Sequence, residues 1–197
     1  VLNYYIGADS VGIYSVGVTL AEAVWLVSGS IAMVQYSNIA NTGDLSSSRE
    51  ITLRLSKFSF VATILVLLVI LSLPSTLFGI IFGKDFSTVK EIVIYLSAGI
   101  AIFGLTVIIS HYFAGIGKYA VNTITAFIGL IVTVVLNFLL IPKYGCNGAA
   151  ISATISYLVT GFLLVAIFLK ETNYSACDML INKKDIVFAM NKLRWHK

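Results

Sequence analysis

Four runs of 24 to 26 residues carry no charged side chain, and they follow one another along the chain with little between them. They lie between Lys57 and Lys84, Glu91 and Lys118, Lys118 and Lys143, and Lys143 and Lys170. About 20 apolar residues rising 1.5 Å each cross a hydrocarbon layer roughly 30 Å thick, so each run has the length of a membrane span. A fifth run, residues 11–35, is less apolar because Glu22 sits near its middle.

Composition excludes the soluble alternative. The chain is 58% apolar and 11% charged, against roughly 25% charged in soluble domains. The expected fold is therefore all-α and integral to a membrane. About five transmembrane helices fall at 11–35, 58–82, 92–115, 119–141 and 147–169, filling 1–170, and a basic tail occupies 171–197. The tail sets Ile186, Met190 and Leu193 at helical spacing among lysines. That pattern suits either a short helix lying on an anionic surface or a loose basic segment.

Lysine and arginine set the expected orientation. With alternate sides assigned, one side receives ten of the 13 cations and the other only Lys84, Lys90 and Lys143. The richer side is expected in the cytoplasm, together with the C-terminus. Cys146 and Cys177 then fall on opposite sides of the membrane and cannot pair, and neither spacing suggests a metal site. Gly115 to Tyr119, "GIGKY", departs from a phosphate-binding loop at both ends, so no nucleotide chemistry and no cofactor is expected.

The stretch "IPKYGCNGAAISATISY", Ile141 to Tyr157, interrupts the hydrocarbon. Pro142 ends one helix, Gly145 can take a left-handed conformation and Asn147 can cap the next helix, which together predict a tight helical hairpin. Beyond it Gly148, Ser152, Ser156 and Thr160 recur every four residues, a small-residue stripe that lets another helix approach closely. Comparable stripes run through Gly12, Glu22 and Gly29, through Gly104 and His111, and through Asn122, Gly129 and Asn137. Polar groups at membrane depth are expensive in lipid and must face a partner or a wet cavity.

Glu22 admits two readings: a cavity carboxylate that binds a cation, a proton or a substrate, or a structural hydrogen-bonding group. His111, near the end of its helix, either takes part in substrate or proton handling or reaches headgroups and water. Asn122 and Asn137 serve as interhelical hydrogen bonders or as ligands.

Three blocks carry a family resemblance: "VGIYSVGVTLAEAVW" (Val11 to Trp25), "LFGIIFGKDF" (Leu77 to Phe86) and "NFLLIPKYGCNGAAISATISY" (Asn137 to Tyr157). In their order and spacing they resemble the C-terminal half of Wzx-type polysaccharide flippases, of the multidrug, oligosaccharidyl-lipid and polysaccharide exporter superfamily. The resemblance implies most of one six-helix bundle of a two-bundle protein in a bacterial inner membrane. It implies a transporter, not an enzyme, that moves an undecaprenyl-diphosphate-linked glycan from the cytoplasmic to the periplasmic leaflet in O-antigen, capsule or exopolysaccharide synthesis. Implied partners are membrane lipid, that lipid-linked glycan, an N-terminal bundle of the same protein and polysaccharide polymerase machinery, with no nucleic acid. The opening at Val1 reads like the tail of an earlier helix, so the chain is expected to be a piece of a longer protein. A cation-coupled small-molecule exporter of the same superfamily and an inactive membrane fragment are the alternatives.

Overall fold

The computed structural model describes residues 1–83, 86, 88–180 and 182, without the side chain of Asp9. Among these residues the elements are α1 (Leu2–Ile6), α2 (Ala8–Glu22), α3 (Trp25–Thr42), α4 (Leu45–Ser72), α5 (Ser75–Phe82), α6 (Val89–Gly115) and α7 (Tyr119–Thr172), followed by a 3-10 turn at Ala176–Met179. Among the described residues three helices are long and apolar enough to cross a membrane, and a fourth span results if α2 and α3 are taken together. The chain is an all-α membrane protein. The basic tail from residue 183 onward lies outside the described residues.

α7 has 54 residues, and a straight helix of that length would extend about 80 Å, far more than a bilayer. It is not straight. Gly145, at φ 56° and ψ −131°, breaks the helical path, a conformation that costs a glycine little and other residues much. The limbs 119–144 and 146–172 then run back along one another. Ser156 Oγ donates to the Gly129 carbonyl at 2.7 Å, and at the far ends Lys118 pairs with Glu171. The expected hairpin is thus present with its break at Gly145; Pro142, expected to end the first helix, instead lies inside its last turn.

Two other expected runs are divided. Residues 11–35 form not one helix but two, bent by 47° between Glu22 and Trp25, and the second continues to Thr42. Neither Gly nor Pro stands at the break. The backbone tightens there to an i→i+3 bond, Leu26 N–H to the Ala23 carbonyl at 3.2 Å, and the bend lays the Trp25 ring on Phe103. The run 58–82 starts earlier, at Leu45, and stops at Leu73. Pro74 forces the preceding residue into an extended conformation and then leads α5.

Helix ends are capped by local chemistry. Gly43, left-handed at φ 63°, ends α3, and the Asp44 carboxylate accepts from the backbone N–H of Ser46 at 3.0 Å and of Ser47 at 3.3 Å to start α4. At the other end of α4, the Lys90 ammonium donates to the Leu73 carbonyl at 2.8 Å, as a cation beside a helix C-terminus should.

α6 is the central helix, packed by α2, α3, α4 and both limbs of α7. α2 and α3 run parallel to it, shown by contacts of Gly17 with Ile92 and Gly115 with Ile39. α4 and the first limb run antiparallel to it, and the second limb parallel. Two apolar clusters form the core. One, toward the Gly145 end, holds Val24, Leu67, Phe78, Ile92 and Leu96. The other, toward the Lys118 end, holds Leu53, Ile109, Tyr112, Phe113 and Phe168. Outward, the first limb presents Phe127, Leu130, Val134 and Phe138, all exposed, the composition of a lipid-facing wall.

Candidate functional site

Between the two apolar clusters lies a polar layer. Ser59, on α4, is fully buried and donates to the Gly104 carbonyl of α6 at 2.6 Å. A hydroxyl has one proton. With that proton on the carbonyl, the Ser28 hydroxyl, 2.6 Å from Ser59 Oγ, is left to donate to it, and Thr63, 3.3 Å from Ser28, donates in turn to Ser28. Three helices are thereby joined through hydroxyls at mid-depth. Gly104 permits this because a Cβ there would collide with the Thr63 side chain. Ser59 and Thr63 belong to a stripe on α4, Ser48, Thr52, Ser56, Ser59 and Thr63, that recurs every three or four residues and is buried throughout; this periodicity is a signal that was not singled out from the sequence.

Glu22 sits where α2 ends at the bend. It is half-buried, and Tyr157, from the second limb of α7, donates its phenol hydrogen to Glu22 Oε1 at 2.9 Å. Trp25 stacks on Phe103 with centroids 4.2 Å apart and meets the edge of Tyr157 at 5.4 Å. Its Nε1 is buried without a partner among the described residues. The arrangement joins a carboxylate, a phenol and an unspent indole donor at a broken helix. It can hold a cation or proton at the carboxylate and offer hydrogen-bonding groups to a polar ligand. The aromatic partners Trp25 and Tyr157 were not singled out by the sequence, because register between helices 135 residues apart leaves no local signal.

The other expected site residues do not join this cluster. His111 uses Nδ1 on the Val107 carbonyl of its own helix at 2.8 Å and presents its ring to Tyr36. Asn122 ties the first limb of α7 to α6 through the Ser110 carbonyl at 2.9 Å. Its Oδ1 has no partner among the described residues and lies beside a cavity of about 190 Å³ lined also by Thr106, Ser110, Thr125 and Thr160. Asn137 Oδ1 is likewise buried without a partner among the described residues. Each of the four candidates belongs to a different contact.

The packing residues separate into two groups. Gly129 lies against Ser156 and Thr160, Gly148 against the Leu140 backbone, and Ser152 is fully buried with its hydroxyl on the Gly148 carbonyl at 2.8 Å. The stripe after the hairpin is therefore spent on the first limb, and the stripe containing Gly129 on the second. At Gly12 and Gly29, expected to pack a helix, a Cβ would meet nothing within 4 Å, so no helix among the described residues packs against either. Gly99 and Gly161, which were not singled out, are the close contacts instead, against Thr154 and Ile102 respectively. Along α2 and α3 the face carrying Gly12, Ser15, Thr19, Leu26 and Met33 is open.

A larger groove, about 680 Å³, runs between α3 and α4. Gln35 on its floor is 3% exposed; its Nε2 donates to Thr52 Oγ1, which donates to the Ser48 carbonyl at 2.6 Å. Gln35 Oε1 has no partner among the described residues. At one end stands Asp44, whose carboxyl is held below its ordinary range by the Ser46 hydroxyl and the Ser47 N–H. Near the same membrane face, the Lys118 ammonium holds the Glu171 carboxyl low. Among the described residues no cluster of three His, Cys, Asp or Glu side chains could hold a metal ion.

Against known proteins, one similarity is specific. The chain is 40% identical over 94 residues to the capsular polysaccharide biosynthesis protein CapF of Staphylococcus aureus, a match covering 45% of this chain and 22% of that protein. No family model and no solved structure matches the chain.

Proposed function

We propose that this chain is part of a flippase that carries an undecaprenyl-diphosphate-linked oligosaccharide across a bacterial inner membrane during polysaccharide synthesis. In this reading it is a transporter, not an enzyme, with its C-terminus in the cytoplasm, and a second bundle of the same longer protein completes the pathway. The observation that carries the reading is the 40% identity to a protein named for capsular polysaccharide biosynthesis, in an all-α chain of membrane-spanning length.

The physical requirements agree. A glycan headgroup brings many hydroxyls that hydrocarbon cannot satisfy, while its polyprenyl tail stays in lipid. An open helix face with small and polar side chains, ending at a carboxylate, supplies hydrogen-bonding groups and room. The face of Gly12, Ser15 and Thr19 leading to Glu22 meets that description. Movement of one bundle against the other would then alternate access to it.

The test is Glu22→Gln in the full-length protein, scored by surface polysaccharide at matched protein level. Loss of export at least tenfold is expected. Normal export would remove Glu22 from both coupling and substrate contact. A cation-coupled exporter of small molecules is a second reading, favoured by a carboxylate at a broken helix. Transport of a lipid-linked sugar in vesicles, set beside efflux of a cationic dye, separates the two.

A further inference from the structure

The groove between α3 and α4 is not explained by transport through the α2 face. Its walls are membrane-spanning helices and its mouth opens outward, with Val34 68% exposed on the rim. Its volume, about 680 Å³, is that of a small-ligand cleft. Its charge is at one end, where Asp44 stands beside Thr42, Ser47 and Ser48 as α3 turns into α4; farther in, the wall is mostly Ile31, Val34, Ile39, Ile51 and Leu55, with Ser30, Gln35 and Asn38 among them. An occupant that is charged at one end and mainly hydrocarbon along its length fits such a wall.

The sign of the polar end is also set. Among the described residues Asp44 is the sole ionisable side chain lining the groove, and its hydrogen bonds to Ser46 and Ser47 all fall on Oδ1. Oδ2 takes none, and no ion pair forms at Asp44, among the described residues. A carboxylate in that position attracts an ammonium group and repels a net anionic headgroup.

We propose that this groove holds one membrane lipid with a primary ammonium headgroup, its amine at Asp44 and its hydrocarbon along Ile31, Val34 and Leu55. The lipid is a resident of the bundle wall and not the transported molecule. It covers the gap left where α3 and α4 splay, and water admitted with the headgroup supplies the hydrogen that buried Gln35 Oε1 lacks. The inference does not rest on the proposed transport function.

The experiment is native mass spectrometry of the full-length protein, delipidated in mild detergent and offered equal phosphatidylethanolamine and phosphatidylglycerol. One retained phosphatidylethanolamine is expected, favoured at least fivefold. Val34→Trp should fill the groove and abolish retention, and Asp44→Asn, which keeps the helix cap, should bring the preference close to one. Leu65→Trp, on an exposed part of α4 away from the groove, should change neither. Retention of phosphatidylglycerol instead overturns the proposal. So does retention of no lipid, as when a protein segment fills the groove, or a preference that survives both Val34→Trp and Asp44→Asn.

Discussion

At the scale of the residue, the question is whether the Glu22 carboxylate is kept for chemistry or for structure, and its partner offers a way to decide. Tyr157 donates to Glu22 Oε1, and a glutamine amide oxygen in the same place can accept that hydrogen bond. Glu22→Gln should therefore cost little stability. Tyr157→Phe removes the donor and leaves the acceptor, so it should lower stability by about 1 kcal/mol, within the range of up to roughly 1.7 kcal/mol measured for hydrogen bonds between membrane helices. Thermal unfolding in detergent of Glu22→Ala, Tyr157→Phe and their double variant gives the coupling directly, because Glu22→Ala removes the acceptor that Glu22→Gln keeps. Additive effects in that cycle would mean that the Tyr157 contact carries no energy and that Glu22 is held by something else. If the coupling is present, a loss of export in Glu22→Gln at unchanged stability assigns the charge itself to function.

At the scale of the element, glycine tells which helix faces are committed. Gly104→Ala drives a methyl into Thr63 and loosens the Ser59 bond to the Gly104 carbonyl, and Gly148→Ala drives one into the Leu140 backbone. Each should destabilise by about 1–3 kcal/mol. Gly12→Ala and Gly29→Ala face open space and should instead raise stability by about 0.5–1 kcal/mol through helix propensity. Melting curves of the four variants check the division; a destabilising Gly12→Ala would show that this face is covered after all. The same contrast explains what could be read from sequence. The hairpin was legible because Gly145 acts locally on backbone geometry, although Pro142 is carried within the first limb, and the spans because charge is excluded from hydrocarbon. Apart from the Ser and Thr stripe of α4, the packed faces were not, because helices apolar nearly all round give no directional moment. Small residues therefore mark Gly12 and Gly104 alike, although only the second meets a neighbour. The bend after Glu22 was invisible for a related reason: Ala23 and Val24 are ordinary helix residues, and the Trp25 contact with Phe103 that accompanies the bend comes from a distant helix.

At the scale of the whole molecule, the hairpin in α7 fixes which ends share a membrane face. Gly145 lies beside Ile6, and Cys146 Sγ is 3.3 Å from the Ser10 carbonyl, so the start of α2 and the hairpin tip are together. The opposite face gathers Asp44, Lys118 and Glu171, and Cys177 follows the end of α7 there. The positive-inside tendency predicts that this second face, with Arg49, Arg54, Lys118 and Lys170, is the cytoplasmic one. With Cys177 replaced by Ser, an impermeant maleimide applied to spheroplasts should label Cys146, slowly, because the thiol is half-buried and burial raises its pKa. With Cys146 replaced by Ser, the exposed Cys177 should react only after the membrane is opened. The reverse pattern would invert the molecule, and labelling of both thiols from one side would break the hairpin topology. In the expected orientation, Glu22 would be reached from outside along the open α2 face, and Asp44 would stand at the inner leaflet. One set of labelling rates therefore decides the orientation on which the transport reading depends and the leaflet from which the α3–α4 groove would take its lipid.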